Sequence, residues 1–151
     1  MSNIDDLSRE AESLFEENSE SHKFKGLYNK ILNFSFTDKV KKGLIISNEN
    51  FDYLASFLTV QSFALSDPTI FSAADYGQLE AEFFKRKDNP ELYLDTCVLI
   101  AEPQTFTTSF LNLNISDDDA VKDITQRFLG ALENFLSISD HIYAANFPLS
   151  R

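Results

Sequence analysis

Histidine and cysteine are scarce in this chain: His22, His141 and Cys97 are the only such residues among 151. A cysteine nucleophile needs a histidine beside it, but Cys97 lies in the most apolar run of the chain, Cys97-Val98-Leu99-Ile100-Ala101. Free cysteine in such surroundings packs as a small hydrophobe, so the sequence predicts an inert thiol. Asp140-His141 can orient an imidazole for base catalysis. The two are neighbours in sequence, point in different directions on a helix and have no local nucleophile, which predicts a surface pair. Asp117, Asp118 and Asp119 can ligate a divalent cation, yet the spaced ligands and later Glu of a calcium-binding hand are missing. Acids at a helix start meet unpaired amides and the positive end of the dipole, and a capping role is the expectation. Glu80 and Glu82 are two apart and do not share a helix face. The glycines Gly26, Gly43, Gly77 and Gly130 are isolated, so no loop can bring clustered amides to a phosphate. No metal and no cofactor is expected.

Charge narrows the function classes further. The formal net charge is -11 at pH 7. An acidic chain is repelled by phosphate backbones and anionic lipid, which predicts no nucleic-acid partner and no membrane docking. The distribution is uneven: residues 1–20 balance to -6, residues 21–42 to +5 and the remainder to -10. The basic segment is a docking strip for an acidic partner or a solvated surface neutralising acidic neighbours, and the second reading is preferred. A lone cysteine fits a reducing compartment. The acidic start MSNIDDLSREAESLFEE lacks the basic-then-apolar order of a leader, and no apolar run approaches the ~18 residues of a membrane span. A soluble, cytoplasmic protein is expected.

The elements that must position these residues are read from periodicity. One domain over residues 1–151 is the economical reading at this length. Ile4, Leu7, Ala11, Leu14 and Phe15 recur at helical spacing, and after a break near 17–21 the stripe resumes through Phe24, Leu27, Tyr28, Ile31 and Leu32. Residues 43–54 read as strand, turn, strand, while residues 51–63 fit a helix equally well. Ser72 is a candidate cap for a helix carrying Tyr76, Leu79, Phe83 and Phe84, closed by Lys85-Arg86-Lys87 and Asp88-Asn89-Pro90. Residues 92–101 and 106–115 look like two strands of an antiparallel hairpin, because Leu111-Asn112-Leu113-Asn114-Ile115 alternates apolar and polar. A long C-terminal helix runs from Asp117 past Phe135 to Ile142. The expected fold class is α+β: an N-terminal helix, a small antiparallel sheet with a hairpin near 92–115 and a long C-terminal helix. A mainly α helical bundle is the alternative.

Two resemblances bear on function. The run His22, any residue, Phe24, Lys25, Gly26 resembles the phosphoacceptor segment of histidine-containing phosphotransfer domains. That resemblance implies His22 as acceptor, Lys25 offsetting the phosphate charge and Gly26 leaving room for the docking protein. The chain departs from the family at Leu27-Tyr28, where small residues are usual. The layout of helix, strands, the hairpin ELYLDTCVLIA to FTTSFLNLNIS and the helix DDDAVKDITQRFLGALENFL is similar to the small acidic chaperones of type III secretion, best over residues 73–137. It implies a homodimer without nucleotide that holds a client polypeptide against apolar patches. Fifteen Phe with no Trp fit either a partner surface or a core, and aromatic residues at regular spacing are more often core. The reading that results is a non-enzymatic acidic protein-binding module, chaperone-like, with a protein partner. Histidine phosphotransfer through His22 and an immunity or inhibitor protein covering a basic site are the alternatives.

Overall fold

The computed structural model describes residues 4–47, 51–75, 78–100 and 118–144. Helices α1 (Ile4–Glu16) and α2 (Ser21–Leu32) precede strand β1 (Lys41–Ser47). Helix α3 (Asp52–Ala64), strand β2 (Thr69–Ala73), helix α4 (Leu79–Lys87) and strand β3 (Leu94–Ile100) follow, and helix α5 (Asp118–Leu136) leads to strand β4 (Ser139–Ala144). The four strands form one sheet in the order β2-β1-β3-β4, and all three pairings are parallel. This is a doubly wound α/β arrangement of the Rossmann or flavodoxin-like kind.

The finding corrects both the α+β expectation and the helical-bundle alternative. Strand β3 has β1 on one side and β4 on the other, each parallel to it, which leaves no edge for an antiparallel mate. The proposed second strand of the hairpin, residues 106–115, lies outside the described residues. The chain carries the physical signal for the observed sheet in Leu44-Ile45-Ile46 and Cys97-Val98-Leu99-Ile100. Strands covered by helices on both faces read as continuous apolar runs, whereas a half-buried antiparallel strand alternates.

Alternate residues of the strands feed two cores. Ile45, Phe71, Val98 and Ile100 face α3 together with Ala55, Leu54 and Leu58. Leu44, Ile46, Cys97 and Leu99 face the other way, onto Ala131, Phe135 and Ile138 and partly buried Phe83 and Phe128. The chain moves from β1 to β2 in one direction and then back across to β3 and β4. Right-handed crossovers therefore put α3 on one face and α4 and α5 on the other. Helices α1 and α2 pack on α3 in a third cluster through Leu7, Ala11, Phe24, Leu27, Ile31, Val60 and Phe63. Each fully buried side chain of this size stabilises the fold by about 1.5–3 kcal/mol relative to exposure.

Helix ends follow local chemistry. The break predicted near 17–21 is a left-handed turn at Asn18, where Asn18 N–H donates to Phe15 O and Ser19 N–H to Leu14 O. The same closure ends α3 at Ser66, which adopts φ 57° without being glycine. Residues 52–54 belong to α3, so the helical alternative for 51–63 is the one adopted. Ser72 lies within β2 rather than capping α4, and Gln78 precedes that helix without a side-chain cap. The C-terminal helix ends at Leu136, and Ile142 sits in β4. Among the described residues no helix is long and apolar enough to cross a membrane.

Candidate functional site

In an open parallel sheet the ligand face is the carboxyl end of the strands, at the point where strand order reverses. Here that point lies between β1 and β3. Helices α3, α4 and α5 each run back against the strand that follows, so their N-termini gather at this end. Each begins with acid: Asp52 in α3, Glu80 and Glu82 in α4, and Asp118 and Asp119 in α5. Asp75, just past β2, adds another exposed carboxylate. A carboxylate in the first turn of a helix lies near its positive pole, the position at which an anionic ligand would otherwise be favoured. Isolated glycines agree with that, since Gly43 sits mid-strand rather than in a loop.

Beside this acidic end, a cleft of about 620 Å³ opens between α2 and α3, lined by Lys25, Tyr28, Asn29, Asp52, Tyr53, Ala55 and Ser56. Tyr28 Oη donates to Phe71 O at 2.9 Å, and Ser56 Oγ donates to Tyr53 O at 2.7 Å. Burial, and secondly the Asp52 charge, push the Tyr28 phenol above its ordinary pKa. It serves as a neutral donor and not as a base. Tyr53 stacks on Phe57 with 57% of its surface exposed. The cleft offers a cation, an anion, an amide, a hydroxyl and an aromatic face.

The residues singled out from sequence are dispersed. His22 is exposed at the start of α2 with Nδ1 3.2 Å from Glu20, and Lys25 stands one turn along the same helix. A Cβ at Gly26 would meet nothing within 4 Å. Cys97 is fully buried in mid-sheet, and desolvation outweighs the nearby Arg86 charge to push its thiol up to about 12. Asp140 and His141 lie in β4 rather than in a helix, and successive strand residues point to opposite faces. Asp117 lies outside the described residues, and Asp119 is 3.9 Å from Lys122. Glu82 turns inward to pair with Arg86, whereas Glu80 is in the first turn. Among the described residues no three potential ligands are grouped to hold a metal.

Lys30 pairs with Glu10, Lys23 with Glu17 and Lys41 with Asp67, and Lys42 Nζ donates to Glu91 O. The Asp67 hydrogen bond holds the Lys41 ammonium above its ordinary pKa. Of the described Phe residues, only Phe84 is strongly exposed, and the others fill cores, as in the Phe15–Phe24–Phe57 cluster. Sequence reasoning missed Asp52 and Tyr53 as site residues. The signal was an acid a few residues after the apolar run of β1, and that became readable once residues 52–64 were known to be helix. Comparison with family models, curated proteins and solved structures finds no match to the chain.

Proposed function

We propose that this chain is a non-enzymatic protein-binding module that holds a basic segment of a client polypeptide at the carboxyl end of its sheet. One observation carries the reading: the end where doubly wound folds bind ligands is lined by Asp52, Asp75 and Glu80. The exposed ring of Tyr53 follows Asp52 in the first turn of α3. Carboxylates at that end repel phosphate and select cations. The aromatic ring adds a face on which an Arg guanidinium stacks. The layout that suggested a secretion chaperone is replaced by the parallel sheet, so client binding now rests on this surface alone. An inhibitor that covers a basic site is the same recognition applied to a folded partner.

The test is affinity purification of the tagged chain from its host at low salt, beside a variant carrying Asp52→Asn, Asp75→Asn and Glu80→Gln. A stoichiometric basic polypeptide retained by the parent and lost from the variant supports the reading. Equal retention by both, or elution of the parent alone, counts against it.

Phosphotransfer through His22 is a second reading favoured by a specific feature. Leu27 is 3% exposed and Tyr28 bonds to Phe71, so the bulky pair that breaks the motif is turned away from the His22 side. Incubation with phosphoramidate should then give an acid-labile phosphate that His22→Gln abolishes, and absence of label ends that reading.

A further inference from the structure

The two edges of the sheet are treated differently. At β2 the outward-facing backbone is sealed by hydroxyls: Phe71 N–H donates to Thr59 Oγ1 at 2.9 Å and Phe71 O accepts from Tyr28. Thr69 N–H donates to Ser62 Oγ at 3.0 Å, and Ser62 Oγ lies 2.9 Å from Thr69 O. Among the described residues nothing comparable covers β4. Ile138 O accepts from Leu94 N–H, so alternation turns Asp140 and Ile142 toward β3 and leaves the N–H and C=O of His141 and Tyr143 facing outward. No described side chain bonds them. An open strand edge of this kind pairs with another strand unless it is blocked.

Helix α5 packs against β4 and carries an unburied apolar stripe above the same edge. Its inner side is set by Ala131 and Phe135, both buried. Leu129 and Leu136 are 50% and 51% exposed, and with half-buried Leu132 they repeat at the 3–4 spacing of a coiled-coil seam. A right-handed β3–α5–β4 crossover turns the flank bearing this stripe away from β3, over the outer side of β4. On the opposite face of the strand Tyr143 is 63% exposed. One side of the molecule thus combines a strand edge, unpaired by any described residue, with apolar groups on both of its faces.

We infer that the chain pairs with a second copy of itself along the β4 edge, with the two α5 stripes packed across the join. Three features favour a second copy over a basic or acidic partner. The stripe is flanked by Lys122, 3.9 Å from Asp119, toward its start and by Glu133 toward its end, so both signs lie along it and no single-sign block selects a charged ligand. A two-fold axis normal to the sheet reverses one copy and brings the Lys122 end of each helix toward the Glu133 end of the other. The lengths also agree: six strand residues span about 20 Å and the helix from 122 to 136 about 21 Å, so one axis serves both. Strand pairing alone buries little, and the leucine stripe supplies apolar area toward the roughly 800 Å² per partner typical of stable complexes. The inference is independent of the acidic end, which lies elsewhere on the fold.

Light scattering or sedimentation of the full chain at micromolar concentration should give twice the 17.2 kDa chain mass. Leu129→Glu with Leu136→Glu should return a monomer with unchanged far-ultraviolet dichroism. Tyr143→Pro removes an outward N–H that no described residue uses and should do the same. Lys122→Glu should weaken the dimer at least tenfold, and adding Glu133→Lys should restore it, a rescue that loss of folding cannot imitate. A parent that stays monomeric, a dimer indifferent to these substitutions, or a monomer that takes up an extended peptide on this edge overturns the inference.

Discussion

Cys97 should be almost inert toward thiol reagents while the chain is folded, and the size of the effect follows from its surroundings. The side chain has no exposed surface and is enclosed by Leu44, Leu99 and Phe135. Desolvation raises its pKa from an ordinary 9.0 to about 12. At pH 8 an ordinary thiol is about one-tenth thiolate, whereas Cys97 is about one part in 10⁴, so ionisation alone slows reaction by about 10³. Steric closure adds to that factor. The assay is reaction with a chromogenic aromatic disulfide in buffer and in denaturant, followed to completion at one thiol per chain. The native rate should be at least about 10³ below the denatured rate, and a native rate within tenfold of it refutes the burial argument. The same shift has a signed consequence for stability. Between pH 9 and 12 the unfolded thiol loses its proton and the native one keeps it, so stability falls as pH rises through that window. The slope contributed is at most about 1.4 kcal/mol per pH unit, and Cys97→Ala should remove it.

Other substitutions test the packing that holds the candidate site. A Cβ at Gly43 would lie 2.5 Å from Phe71 Cε1 and 2.9 Å from Cγ, so Gly43→Ala should lower stability by about 1–3 kcal/mol in urea unfolding. Thr59→Val strands the Phe71 N–H at the β2 edge and should cost about 1–3 kcal/mol, while Thr59→Ser retains most of it. Arg86 is buried against Glu82 with its Nε unpartnered, so Arg86→Ala should destabilise by about 3 kcal/mol. The double replacement of Arg86 and Glu82 by Leu should recover most of that in a thermodynamic cycle. Ser66→Gly relieves a left-handed φ and should raise the midpoint of thermal unfolding, by about 1 kcal/mol of stability.

The sequence by itself determined what depends on near neighbours. Helices α1 and α2 and the break between them followed from apolar spacing, because helical contacts lie three and four residues apart. The burial of Cys97 followed from its apolar run, and the ion pairs of Lys23, Lys30 and Lys41 agree with the charge order. Tertiary structure decided what depends on distant pairing. A short strand such as Thr69–Ala73 has no periodicity that separates it from a helix start, and Ser139–Ala144 read as the continuation of a helix. Whether Leu94–Ile100 joins an antiparallel hairpin or a parallel sheet is set by β1 and β4, more than forty residues away in either direction. That choice gathers the helix N-termini, and with them Asp52 and Glu80, at one end of the sheet. Local chemistry placed the acids at helix starts, and only the topology made them neighbours.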